Sequence, residues 1–212
     1  MRMRRFAALL LAGLLLGLCA CGAIPDALYG DWIRTEYLDA GDACTILERL
    51  DFTDAEIAAA DLTGMALVRQ AGFRADQTYR LGYDREASAE LLRDYFDALI
   101  AALYESRQSL AADYGPEITE LTPEEFRLGY ARMFGCDSYD ALPEHLASAA
   151  LENIGLDEAA ETGTYTAGLS GGRLLCREDG SDTREALRFQ VDGDSLTLIF
   201  ADRTEQYVRA GS

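Results

Sequence analysis

Apolar positions recur with a period of two over residues 27–38 and 66–83 and again from 162 onward, and with a period near 3.6 between them. From Ala27 to Leu38, aromatic and β-branched residues around Gly30-Asp31-Trp32 predict a strand. Asp39-Ala40-Gly41-Asp42 reads as a turn. Ala43 to Asp61 reads as helix, with Ile46, Leu47, Leu50, Ile57 and Ala58 near helical spacing. A break is expected at Phe52-Thr53-Asp54, where Thr53 or Asp54 caps a second piece. Ala66 to Phe73 and Thr78 to Tyr83 read as two strands joined by Arg74-Ala75-Asp76-Gln77. In the second, Tyr79, Leu81 and Tyr83 alternate with Thr78, Arg80 and Gly82, as a half-buried strand requires.

The period then changes. Between Asp84 and Tyr114, apolar residues at 87, 91, 92, 95, 96, 99, 102, 103 and 110 form a helical stripe, about 45 Å long if unbroken. Gly115-Pro116 supplies a left-handed cap residue and a breaker. Thr122-Pro123-Glu124-Glu125 opens another helix, with Thr122 as N-cap, Pro123 at its first position and Glu125 closing a capping box. It runs to Phe134. Asp137 or Ser138 caps a third helix ending near Gly155, with Pro143 deeper than an ideal first turn. From Thr162 the period returns to two. Thr164-Tyr165-Thr166-Ala167 leads into the loop Gly168-Leu169-Ser170-Gly171-Gly172, and Arg173 to Cys176 pairs back. Leu187, Phe189 and Val191 form another strand. Asp192-Gly193 is a two-residue hairpin signal, and Leu196, Leu198 and Phe200 follow it. Gln206-Tyr207-Val208-Arg209 ends the series.

These are about eight strands, three before the helices and five after. Three strands alone would leave exposed edges. The economical solution is an α+β fold: one antiparallel barrel or strongly bent sheet, with a long helical insertion at about 84–155 between the third and fourth strands. Residues 28–212 are then a single domain.

A different pattern precedes them. Arg2, Arg4 and Arg5 form a cationic stretch, and Phe6 to Leu18 is uncharged and apolar. That run has the length of a signal-peptide core and is short for a spanning helix. It ends in Leu18-Cys19-Ala20-Cys21, which resembles the bacterial lipobox: an aliphatic residue, a small residue before the cysteine, then the cysteine that takes a diacylglycerol. The resemblance implies that residues 1–20 are a cleaved lipoprotein signal, that Cys21 carries the lipid and that residues 21–27 are a tether. It places the protein on the extracytoplasmic face of the cell membrane, held by two acyl chains where one binds only marginally. The competing reading is an ordinary secretory signal or membrane anchor with an incidental cysteine.

Charge narrows the partners. The chain has 37 Asp plus Glu against 19 basic residues, all arginine, for a formal charge of −18; loss of three signal-segment arginines and no acid takes it to −21. Such a surface argues against nucleic acid and anionic headgroups as partners. With no lysine, every lysine-based mechanism is excluded. Beyond the signal and Cys21, Cys44, Cys136 and Cys176 remain, without a C-x-x-C spacing. They read as small buried hydrophobes; one disulfide among them stays open.

Leu28-Tyr29-Gly30-Asp31-Trp32 carries the G-x-W pattern of lipocalin-like domains on a first strand. Gly163-Thr164-Tyr165 and the run from Val191 through Leu198 to Tyr207-Val208-Arg209 look like the closing strands of small lipocalin-like lipoproteins. Phe73-Arg74-Ala75-Asp76-Gln77-Thr78-Tyr79 is similar to a hairpin of the same group. The resemblance covers roughly half the mature chain. It implies that Trp32 packs at the closed end of a barrel with Arg209 over its ring as a cation–π pair. The helical insertion departs from that pattern.

Reactive constellations are scarce. His145 is the sole histidine, so a histidine-based zinc site cannot form and a Ser-His-Asp triad would depend on this one residue. Leu169-Ser170-Gly171-Gly172 lacks the frame of a nucleophile elbow, and no P-loop or dinucleotide fingerprint is present. Glu178-Asp179-Gly180-Ser181-Asp182 offers hard oxygens but not EF-hand spacing. Tyr79, Tyr83, Tyr165 and Tyr207 fall on strands and are candidates to line a pocket. No catalytic residue, cofactor or metal ligand is assigned. The expectation is a non-catalytic, membrane-anchored domain that binds a small apolar ligand or an envelope protein. The alternatives are a cell-envelope hydrolase using acids, or a structural or inhibitor-type lipoprotein with a filled barrel.

Overall fold

Eight strands follow one another around a closed antiparallel barrel in chain order. They are β1 (Gly30–Tyr37), β2 (Ala66–Phe73), β3 (Thr78–Tyr83), β4 (Glu161–Ala167), β5 (Arg173–Glu178), β6 (Glu185–Asp192), β7 (Ser195–Ile199) and β8 (Thr204–Arg209). Between β1 and β2 in sequence come α1 (Ala40–Arg49) and α2 (Asp54–Ala59). Between β3 and β4 come α3 (Arg85–Glu105), α4 (Arg107–Tyr114), α5 (Pro123–Met133) and α6 (Leu142–Ile154). This computed structural model describes residues 24–155, 160–167 and 172–211. The N-terminal stretch read above as a signal, Cys21 and the Gly168-Leu169-Ser170-Gly171 loop lie outside the described residues.

Local chemistry accounts for most element starts. Thr53 accepts the Glu56 N–H while the Glu56 carboxylate accepts the Thr53 N–H, and Thr122 and Glu125 repeat the reciprocal box at α5. The first strand starts at Gly30 and not at Ala27, because Asp26–Leu28 is a 3-10 turn, and β7 ends at Ile199, before Phe200; three helix boundaries also differ from the sequence reading. Asp39 is not in a turn but the N-cap of α1: its carboxylate accepts the Asp42 N–H at 2.9 Å, so Ala40-Gly41-Asp42 is the first helical turn. The long stripe is two helices, because Glu105 to Ser109 is polar throughout and the backbone leaves the helical region at Ser106 (φ −92°, ψ 7°). The last helix starts at Leu142, so Pro143 sits in its first turn, where a missing N–H costs nothing.

The described residues gather into two compact units. One comprises residues 24–34, 70–82, 160–167 and 172–211; the other, residues 35–69 and 83–155. Each has its own core. The helical unit buries Leu47, Leu92, Phe96, Ile100, Leu103 and Phe126 among others. Inside it, the buried Glu56 carboxylate accepts hydrogen bonds from Tyr114 Oη (2.9 Å) and Tyr130 Oη, tying α2 to α4 and α5. Burial first, and Glu56 second, push the Tyr114 hydroxyl up to about 12 and raise that of Tyr130.

In the barrel unit, the strand period decides what is buried. Gly163 and Tyr165 on β4 are buried while Thr162, Thr164 and Thr166 are exposed; Leu174 and Cys176, Leu187 and Phe189, and Leu196 and Leu198 repeat the alternation. Gly163 stands opposite both Tyr79 and Glu178. A Cβ there would come within 2.2 Å of the Arg177 carbonyl oxygen and 2.8 Å of the Tyr79 ring, so only glycine lets that ring lie across β4.

Candidate functional site

The up-and-down order puts the 74–77 turn, the 193–194 turn, the start of β1 and the end of β8 at one end of the barrel. The 179–184 and 200–203 loops lie at the other.

The first end is closed by side chains. Trp32 is fully buried and its Nε1–H donates to the Leu28 carbonyl at 2.9 Å. Arg209 Cζ lies 4.2 Å from the Trp32 ring centroid. Its guanidinium also donates to the carbonyls of Tyr29 (3.1 Å) and Ala27 (2.8 Å) and pairs with Asp194 at 3.4 Å. Gly30, at φ +133°, makes room: a Cβ would sit 2.8 Å from Arg209 Nη1. Beneath the tryptophan, Phe73 and Tyr165 pack edge to face at 5.6 Å, and Tyr165 Oη donates to the Arg74 carbonyl at 2.7 Å. Leu28, Leu174, Leu196 and Leu198 fill the rest.

Toward the second end the barrel unit's own residues surround a cleft. Its volume is about 620 Å³, and it is lined by β3, β4, the β5–β6 connection and the β7–β8 turn. Its apolar walls come from Tyr79, Leu81, Ala186, Leu187 and Phe200. Its carboxylates are Glu161, Glu178, Glu185 and Asp202, against one guanidinium, Arg203. The three glutamates share the strand parity of the buried residues: Glu178 faces Gly163 across the ladder and Glu185 faces Cys176. Tyr79 Oη donates to Glu161 Oε1 at 2.6 Å; burial, then this carboxylate, raises the tyrosine far above its ordinary value.

Arg203 stacks over the Phe200 ring, with Cζ 4.2 Å from the centroid. Its Nε donates to Glu205 Oε1 at 2.8 Å and its Nη1 to Asp202 Oδ1 at 3.4 Å. Glu205 is 2% exposed and also accepts from Tyr207 Oη at 2.6 Å, so the guanidinium charge answers a carboxylate that burial alone would not tolerate. Cys176 lines the cleft wall, and burial, reinforced by Glu161 and Glu185, pushes its thiol up to about 12. A thiol held protonated at neutral pH is a poor nucleophile and a poor metal ligand.

A second hollow of about 400 Å³ lies over the outer face of β2–β4, where Arg74 pairs with Asp31 at 2.7 Å. Within its lining, Thr162 Oγ1 also donates to Asp179 at 2.8 Å.

Of the four tyrosines singled out in the sequence, Tyr79 alone lines these clefts. Tyr165 and Tyr207 are buried in the barrel interior, their hydroxyls committed to Arg74 O and Glu205. Tyr83 belongs to the helical unit, where its hydroxyl donates to Glu36 (3.0 Å) and Arg69 lies 5.2 Å from its ring. Trp32 and Arg209 are brought together. Cys44, Cys136 and Cys176 are free thiols, and His145 is exposed on α6. Among the described residues, no group of three or more His, Cys, Asp or Glu is arranged to hold a metal ion. Asp179, in the acidic loop, accepts from Thr162 Oγ1 at 2.8 Å instead. The sequence reading passed over Glu161, Glu185, Asp202 and Arg203. The alternation of β4 and β6 carried a signal for the two glutamates, since each lies an even number of residues from a buried strand position.

Compared with known proteins, the chain matches no family model, no curated protein and no solved structure.

Proposed function

We propose that this is an exported lipoprotein, held by Cys21 on the outer face of the cell membrane, whose lipocalin-like barrel binds a small ligand without transforming it. The observation that carries the ligand is the contrast between the barrel ends: one filled by Trp32 and Arg209, the other hollowed into a cleft of about 620 Å³. That volume falls in the range of small-molecule sites, about 300–1,000 Å³. The Trp32–Arg209 pair and the eight-strand chain-order barrel support the lipocalin-like reading. The lipobox-like Leu18-Cys19-Ala20-Cys21 and the cationic and apolar segments before it support the anchor.

The mixed lining modifies the sequence expectation of an apolar ligand. Leu81, Leu187 and Phe200 offer apolar surface, but the carboxylates around them call for a polar part as well.

Native mass spectrometry of the mature protein tests the ligand. A bound small molecule is expected in the wild type and absent from Leu187→Trp, whose larger side chain fills the cleft. A wild type that neither carries nor takes up any small molecule overturns the reading. Cys21→Ser is expected to abolish fatty-acid labelling, and labelling that persists sinks the anchor.

A further inference from the structure

Resting on the Cys21 anchor of the proposed function, we infer that the closed end of the barrel is the face that meets the bilayer, seated in its headgroup layer, with the cleft wall held on the water side. The length of free chain carries the orientation. Residues 21–27 read as a tether in sequence, yet the barrel takes hold of them from Ile24 onward. Ile24 packs against the barrel core. The Leu28 N–H donates to the Pro25 carbonyl at 2.9 Å, and the Leu28 side chain is fully buried. Arg209 holds the carbonyls of Ala27 and Tyr29 from the far end of the chain. Only Gly22 and Ala23 stand between Cys21 and Ile24, and three residues span at most about 11 Å. A lipid on Cys21 therefore keeps the entry to β1, and with it the closed end, beside the headgroups.

The rim at that end fits such a surface. Val208 is 54% exposed, and the ladder sets it opposite Ile33, one position from the Trp32–Arg209 pair. It offers the headgroup layer an apolar contact next to the point where the anchor joins. The turns of the same end set the depth. Asp76, Asp192 and Asp194 are exposed there, with Asp26 beside the entry to β1. Ionised carboxylates do not pass into hydrocarbon, so the barrel rests on the headgroups and goes no deeper. Phe200, in the cleft wall, follows β7 at its far end from the 193–194 turn, about 15 Å away along the strand. A ligand of the cleft then arrives from the water and is not drawn directly out of the lipid.

The test uses the lipidated mature protein in phosphatidylcholine nanodiscs that carry a dansyl-labelled headgroup lipid. Trp32 is the sole tryptophan, so its fluorescence reports the closed end. Trp32→Phe with Phe200→Trp moves that report to the cleft wall. Energy transfer falls with the sixth power of distance, so over that length of strand the wild type is expected to transfer at least about twofold more efficiently than the double variant. If the double variant fails to fold, hydrogen exchange compares the wild type on nanodiscs with soluble Cys21→Ser. Exchange is expected to slow at the 74–77 and 192–194 turns and to stay unchanged at 200–203. Equal or stronger transfer from the relocated tryptophan overturns the orientation and leaves the anchor intact, as do turns that exchange no more slowly on the disc. A wild type whose mass shows no diacylglycerol removes the anchor and this inference with it.

Discussion

Two arginines at opposite ends of one barrel lie at the same distance from an aromatic ring, 4.2 Å, and do different things. Arg209 covers Trp32 and spends its donors on the backbone carbonyls of Ala27 and Tyr29. Those carbonyls belong to the segment entering β1, so the guanidinium ties the end of β8 to the entry of β1 and closes that end of the barrel. Arg203 covers Phe200 and spends its donors on carboxylates. It pairs with a buried glutamate, and among the described residues the three further glutamates lining the cleft have no ion-pair partner. The cation–π contact is the same, and its consequence is set by what the remaining N–H groups meet. Carbonyls make a lid; carboxylates make half of a charged rim.

The comparison can be broken most forcefully at the closed end. Trp32→Ala removes the largest fully buried side chain and the Leu28 tie, and is expected to cost about 3–5 kcal/mol, read from urea unfolding. A loss under about 1 kcal/mol would mean that this end is not held by its tryptophan. Gly163→Ala comes next, at about 1–3 kcal/mol, because the new methyl meets the Arg177 carbonyl and the Tyr79 ring and neither can retreat without opening the β4–β5 ladder.

The arginines themselves sharpen the contrast. Arg209→Ala and Arg203→Ala are each expected to cost about 1–2 kcal/mol, since each removes a stacked cation and charge-assisted hydrogen bonds. Their rescue should differ. Glu205→Gln is expected to restore at least part of the Arg203→Ala loss, because the carboxylate left behind is buried. Asp194→Asn is expected to restore nothing to Arg209→Ala, because Asp194 is exposed and remains hydrated. Equal rescue at both ends would erase the distinction.

The smallest effect concerns Cys176. Its thiol lies at about 12 in the folded protein against an ordinary value of 9.0. An unfolded chain ionises above about pH 9 while the folded one does not, so this contribution to stability is present below pH 9 and is lost as pH rises toward 12. Tyrosines add to the same slope from about pH 10. The difference between wild type and Cys176→Ser between pH 9 and 10 therefore isolates the thiol. In the native state at pH 8, Cys176 is expected to alkylate more slowly than the half-buried Cys136.

Much of the barrel was legible along the chain and its cleft was not. Tyr79 and Leu81 announced β3 by alternation, Asp192-Gly193 announced the β6–β7 hairpin, and Thr122 with Glu125 announced α5. The Trp32–Arg209 contact was expected from a resemblance and not from spacing, since Arg209 reaches back 182 residues to the Ala27 carbonyl. The tyrosines misled because every strand tyrosine looks alike in sequence. Whether its hydroxyl meets a carbonyl, as in Tyr165, a buried glutamate, as in Tyr207, or the mouth of a cleft, as in Tyr79, depends on position along the barrel axis.

The sequence by itself determined what local interactions determine: strand and helix periods, capping boxes, hairpin turns and an acidic net charge. Each arises among residues within a few positions of one another, where chain connectivity already brings the partners together. Only tertiary structure decided that the strands close in chain order, that one end is filled by side chains, and that Glu161, Glu178 and Glu185 share a cleft with Arg203. The reason is register. A shift of one residue in any ladder exchanges the inner and outer faces of a strand. The registers here are settled together by closure of the barrel, through pairs as distant as Trp32 and Arg209.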